Sequence, residues 1–226
     1  MSNPSVFDII GPVMIGPSSS HTAGAARLAK IAKFISNGEI KSVIFYLHGS
    51  FGKTYKGHGT DRALLAGILG MEPCDIRLRD SIEIAKKEKI EFEFKEDDLG
   101  DVHPNTVKIS METKKGNKCE VVGSSIGGGR IQINQINGNN VDFTGEYNTL
   151  IVFLVDVKGA VSKVSSILFN NNINIAFMKV FRNDKGKDAT MVFEVDNHIP
   201  DVVLKEIGNL DIINRVIKIN TIGEGE

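Results

Sequence analysis

Three serines and a histidine, Ser18, Ser19, Ser20 and His21, stand directly before a run in which Ala, Leu, Ile and Phe recur at helical spacing over residues 25–34. That spacing predicts an amphipathic helix. One serine, Ser18 or Ser20, would cap it. Three hydroxyls, with an imidazole and then Thr22 after them, exceed what capping needs. A helix N-terminus presents unpaired N–H groups and a partial positive charge, so it takes up phosphate or carboxylate. The serine hydroxyls add donors without bulk, and His21 in the first turn can reach the same anion.

Two further histidines sit in loops shaped by Gly or Pro. In "GHGTD" at residues 57–61, glycines on both sides leave the His58 imidazole accessible, and Thr60 or Asp61 can cap a helix that follows. In "HPN", Pro104 holds His103 out of the helical region, and Asn105 offers a donor and an acceptor. His48, before Gly49 and Ser50, reads as a surface residue at a strand end. The glycines of "GSSIGGG" at residues 123–129 resemble a phosphate loop only superficially, because no Lys-Ser/Thr follows; a tight turn between strands is the safer reading. Taken singly, each string also reads as ordinary structure: a capped helix, a glycine loop, a turn into a strand.

Several chemistries are excluded. The histidines have no H-x-x-H or H-E-x-x-H spacing, and two separated cysteines, Cys74 and Cys119, cannot supply the thiolates of an iron–sulfur cluster. The same cysteine usage suits a reducing cytoplasm rather than a disulfide framework. A net charge of −1 gives no reason to expect a polyanion, and the absence of Trp leaves few platforms for base stacking, so no nucleic acid is expected. No apolar run approaches the roughly 18 to 20 residues of a membrane span, and no basic region followed by an apolar run marks a secretion signal.

The elements that must hold these residues fall into two groups. Residues 1–146 read as a mixed α/β domain: a strand over 42–47, a loop over 48–61, helices from about 60 and 80, and a meander of about four strands after Asn105. Residues 148–226 read as strand, helix, strand, strand, helix, strand, with Pro200 opening the second helix. That βαββαβ order is ferredoxin-like, and the fold class is α+β. Gly145 begins the linker.

The strings "FDIIGP", "GPSSSHTAG", "HGSFGKTYKGHGTDRA", "HPN" and "SIGGGRIQI", in that order, closely resemble the β subunit of iron–sulfur-dependent L-serine dehydratases. The C-terminal unit resembles the ACT domain that ends the β chain in two-subunit members, and the N-terminal one resembles an allosteric substrate-binding domain. The resemblance implies conversion of L-serine to pyruvate and ammonia through 2-aminoacrylate. It implies a 4Fe-4S cluster that acts as a Lewis acid and is ligated by a partner α subunit, not by this chain's cysteines. Ser18, Ser19, Ser20 and Thr22, with Thr60, Asp61 and Asn105, would then bind substrate. His21, His58 and His103 would be the catalytic candidates, with no means of choosing among them. The ACT unit implies a homodimer with an amino acid, L-serine, bound near Gly159 and Asn174. The competing reading is an amino-acid-binding regulatory protein with no catalytic share.

Overall fold

The structure is a computed structural model that describes residues 13–182 and 185–220. The "FDIIGP" string and two residues of the hairpin turn, Asn183 and Asp184, lie outside the described residues. Contacts divide the chain into Met1–Asn137 and Gly138–Glu226.

In the first unit, a π-helical turn, Ser19–Gly24, runs into helix α1 (Ala25–Ser36). Of the apolar stripe read from the sequence, Leu28 and Ile31 are sealed with alanines between them, as is Ile35 just beyond it, whereas Phe34 stands exposed. Small residues let a second helix approach closely. Strand β1 (Ile40–Leu47) comes next, followed by α2 (Gly49–His58) and α3 (Thr60–Ile68). A Cβ added to Gly67 of α3 would lie 2.2 Å from the Ala26 carbonyl oxygen of α1, so the two backbones touch. After α4 (Ser81–Lys87) come β2 (Glu91–Glu96), β3 (Thr106–Thr113), β4 (Lys118–Gly127) and β5 (Arg130–Ile136). Within this unit the strand order is β2-β1-β3-β4-β5. β1 runs parallel to β2 and antiparallel to β3. Val43, Phe45 and Leu47 of β1 are buried on one face, while Ser42, Ile44 and Tyr46 alternate onto a half-buried one. Each such buried side chain contributes roughly 1.5–3 kcal/mol.

One expectation is corrected here. Residues 49–58, read as a glycine loop, form helix α2. Its first turn is docked: Ser50 N–H donates to the Pro104 carbonyl at 2.8 Å. Its apolar residues are spaced for one face. Phe51 is fully buried, and Tyr55 stacks on Phe94, which itself stacks on Phe45. Tertiary anchoring outweighs the cost of about 1 kcal/mol per helical glycine. Gly59, at φ +70°, separates α2 from α3, so neither Thr60 nor Asp61 is the cap.

The second unit opens with β6 (Asn139–Phe143). It continues through β7 (Asn148–Val155), α5 (Ala160–Asn170), β8 (Ile175–Arg182), β9 (Asp188–Val195), α6 (Asp201–Gly208) and β10 (Ile213–Ile219). From β7 on, this is the expected βαββαβ order, folded as an antiparallel sheet β10-β7-β9-β8. Leu150, Val152, Met191 and Phe193 meet Val164, Leu168, Val203 and Ile207 in its core. On the other sheet face a chain segment lies against β8 and β9: Lys179 pairs with Asp142 at 2.6 Å, Thr144 donates to Glu194, and Tyr147 meets the half-exposed Phe177 edge-on.

Candidate functional site

Ser18 is the cap of the π-helical turn: its Oγ accepts the His21 N–H at 3.2 Å. Its carbonyl accepts the Thr22 N–H at 2.8 Å. Two of the N–H groups at this helix start are therefore engaged within the turn, and an anion would meet those of Ser19 and Ser20. A π-turn at such a place is common at functional sites. It widens the spiral and turns His21 inward, where it is 8% exposed.

The imidazole is held at both nitrogens. Nδ1 lies 3.1 Å from Ser20 Oγ and 3.5 Å from Ser18 Oγ. Nε2 lies 3.1 Å from Ser50 Oγ, on the first turn of α2. The ring edge packs on Phe51 at 5.2 Å and on His58 at 4.8 Å between centroids. Burial pushes the His21 pKa below its ordinary value, the nearby His58 pushes the same way, and a hydrogen bond to the Ser50 backbone opposes both. The ring is thus biased toward its neutral form, which can both donate and accept.

His58, at the end of α2, is exposed on its other side and opens into a cleft of about 330 Å³. Thr22, whose hydroxyl donates to the His58 carbonyl at 3.4 Å, lines the same cleft. So do Lys56, Arg62 and Arg79, three cations around one concavity. Asp61 stands beside them half-buried. Burial raises its pKa, against the hydrogen bond from the Arg62 N–H and the charges of Arg62 and Lys56. Three cations around one concavity can hold a carboxylate or phosphate group by charge-assisted hydrogen bonds.

His103 is placed differently. Its ring is exposed, and its Nδ1 accepts the Asn105 N–H at 3.1 Å. The "HPN" loop joins the cluster through its backbone, by the Pro104 carbonyl that receives Ser50 N–H. A Cβ on Gly49, at φ +54°, would fall 2.8 Å from that carbonyl, so this approach requires glycine. Asn105 Oδ1 and Thr60 Oγ1 are buried without a hydrogen-bond partner. His48 is held by the Leu99 N–H at 3.2 Å.

Among the described residues, no group of three or more His, Cys, Asp or Glu could hold a metal ion. Cys74 is exposed and Cys119 is buried in β4, and neither is in a disulfide. The described residues do not make a site for an iron–sulfur cluster. No described helix is long and apolar enough to cross a membrane.

The profile of the serine dehydratase beta chain family matches residues 5–135, and that of the ACT domain matches residues 148–211. The chain belongs to the serine dehydratase beta chain family. It is similar to a probable L-serine dehydratase beta chain from Bacillus subtilis (strain 168), 45% identical over 215 residues, 95% of this chain and 97% of the relative. It is also similar to an L-serine dehydratase beta chain from Peptoniphilus asaccharolyticus, 44% identical over 202 residues, 89% of this chain and 91% of the relative. A D-3-phosphoglycerate dehydrogenase of B. subtilis is 27% identical over 84% of this chain, which spans 36% of that protein.

Two residues of this beta chain's N-terminal unit, Ser50 of the His21 cluster and Ser125, escape a reading of its sequence. Ser50 carries a visible signal, a Gly-Ser pair after a predicted strand, but nothing in the spacing says that it meets His21. Ser125, within the glycine-rich string taken as a turn, is fully buried, and its Oγ lacks a hydrogen-bond partner. It faces Gly24, where an added Cβ would come within 2.0 Å of that oxygen. In the ACT unit, Gly159 adopts φ +83° as the cap of α5, with open space where a Cβ would point. Asn174 is exposed and donates its amide to Asp196 at 2.5 Å.

Proposed function

We propose that this beta chain works as one subunit of a two-chain L-serine dehydratase, forming pyruvate and ammonia from L-serine together with an α chain that carries a 4Fe-4S cluster. The observation that carries the reading is the meeting of Ser18, Ser20, Ser50, His21 and His58 beside a cleft lined by three cations. The carboxylate of serine suits the Ser19 and Ser20 N–H groups and the charges of Lys56, Arg62 and Arg79. Elimination of water from serine, to the 2-aminoacrylate whose hydrolysis releases pyruvate and ammonia, requires a proton to leave Cα as the β-hydroxyl departs, and a neutral imidazole is a base for that step. His21 and His58 both stand where they can take part. His103 is turned to solvent, where a partner chain would meet it. The ACT unit would pair with a second copy and bind L-serine at the Gly159 loop, where the left-handed glycine leaves room beside a helix start.

Supplying the purified chain to its α partner under anaerobic conditions tests this: pyruvate should form from L-serine only when both chains are present. The second reading, a regulatory amino-acid-binding module without a catalytic share, draws on the likeness to a phosphoglycerate dehydrogenase over most of this chain. It requires the α chain to make pyruvate at full rate alone.

A further inference from the structure

We infer that Ser125 is a positioning residue: seated against Gly24, it sets the height of the π-helical turn above the sheet, and with it the approach of His21 to Ser50. Alternate residues of β4 face α1. A Cβ added to Gly123 would lie 2.7 Å from Leu28 Cδ2, and one added to Gly24 would lie 2.0 Å from Oγ of Ser125, two positions further along the strand. Ser125 is fully buried, and its Oγ has no hydrogen-bond partner of the ordinary kind. Such a hydroxyl needs a reason. It faces the Gly24 Cα–H: allowing ~1.5 Å for the Cα–Cβ bond, Oγ is no more than about 3.5 Å from that carbon, within the range of a Cα–H···O contact.

The contact belongs to a closed circuit. Ser125 N–H donates to the Asn105 carbonyl at 3.0 Å, and the Pro104 carbonyl, one residue back, takes the Ser50 N–H at 2.8 Å. Ser50 Oγ lies 3.1 Å from His21 Nε2, and His21 shares the π-helical turn with Gly24. Both partners of the His21–Ser50 contact are therefore placed from one two-residue stretch of backbone. Ser50 is held by it directly, and His21 through Ser125 and Gly24.

The circuit has little slack. Ala26, two residues after Gly24, is in backbone contact with Gly67 of α3, so the start of α1 is gripped by two elements. A methyl group at residue 24 would push the turn away from β4, while Ser50 stays with Pro104 and Phe51 stays sealed beside it. The His21 ring would then part from Ser50. The "HPN" and "GSSIGGG" strings thereby act on His21 through two carbonyls and a hydroxyl, without lending it an imidazole.

The catalytic meaning of this placement rests on the proposed dehydratase role; the placement does not, and the test separates the two. In Gly24→Ala the new methyl meets Ser125 Oγ at 2.0 Å and Ser125 Cβ at 2.8 Å. Adding Ser125→Gly removes both atoms and leaves the Cα of residue 125 at 3.7 Å, an ordinary contact. The measurement is the NMR titration of the histidine rings in the full chain with no partner present, His21 being assigned from a His21→Asn sample. The expected result is a His21 that titrates nearer its ordinary value in Gly24→Ala than in wild type, and as in wild type in the Gly24→Ala/Ser125→Gly double variant. An unchanged His21 titration in Gly24→Ala overturns the inference, and so does a double variant in which His21 stays shifted. If Gly24→Ala alone does not fold, the double variant decides: a folded chain with the wild-type titration supports the inference, and an unfolded one overturns it. In the reconstituted enzyme Gly24→Ala should lower kcat by on the order of 10²-fold with little change in KM, the loss expected of a misplaced base, and the double variant should recover most of it. The expected titrations together with no pyruvate from the wild-type mixture would count against the dehydratase reading alone.

Discussion

His21 and Ser50 are separated by 29 positions in sequence, yet Nε2 of one lies 3.1 Å from Oγ of the other. That contact ties the π-helical turn before α1 to the first turn of α2. It brings a buried imidazole between two sets of hydroxyls.

The burial of His21 has a pH signature. Its pKa is lowered in the folded chain, so the unfolded chain binds more protons in the interval between the lowered value and the ordinary ~6.5. The contribution to stability is full above that ordinary value and is lost as pH falls from it through the lowered one. Urea denaturation between pH 7.5 and 5 should show wild type weakening toward acid more steeply than His21→Asn. Parallel slopes for the two would contradict the assignment.

Asp61 has the opposite sign. Burial raises its pKa in the folded chain, so folding favours its protonated form. Its contribution is present at low pH and is lost as pH rises through the raised value. Asp61→Asn keeps an oxygen to accept the Arg62 N–H while removing the buried charge. The variant should be more stable than wild type at pH 7, with the advantage shrinking toward pH 4. Denaturant midpoints at the two pH values read this directly.

The packing of α3 on α1 is stringent enough to test by one methyl group. In Gly67→Ala the new Cβ would meet the Ala26 carbonyl at 2.2 Å and the Lys30 nitrogen at 2.8 Å, both backbone atoms that cannot turn aside. Overpacking of this kind costs about 1–3 kcal/mol. That outweighs the ~1 kcal/mol by which alanine favours a helix interior. A stability equal to wild type would show that α1 shifts freely, and His21 with it.

The cationic cleft makes a binding prediction. If Arg62 and Arg79 meet a carboxylate or phosphate, removing one charge-assisted bond of ~1.5–3 kcal/mol should weaken that anion about tenfold or more. Calorimetry with inorganic phosphate on wild type, Arg62→Gln and Arg79→Gln gives the comparison. Equal heats in all three would remove the cleft from the binding account.

The parts of this molecule legible in its sequence are those set by local pattern. The βαββαβ unit shows because each of its elements has a complete period of its own and a clear stop, such as Pro200 or the Asp156–Gly159 turn. Helix α1 shows for the same reason, and of Ser18 and Ser20, the two caps its sequence offers, Ser18 caps the π-helical turn that leads into it. Helix α2 does not, because its glycines argue for a loop while its support, the Pro104 carbonyl and Phe94, lies far along the chain. The His21–Ser50 contact and the buried Ser125 are equally silent, since each depends on a close approach between distant segments that no spacing encodes. The motifs marked where chemistry could be; the folding of α2 decided which residues meet.

The central claim is that the His21 cluster serves an enzyme made of two chains. The most direct measurement is the rate of pyruvate formation from L-serine by the α partner mixed with wild-type or His21→Asn beta chain, each shown to be folded. The account predicts no pyruvate from either chain alone, full activity with wild type, and a loss of at least ~10²-fold in kcat with the variant. A variant that supports the wild-type rate, or an α chain that needs no beta chain, would contradict it.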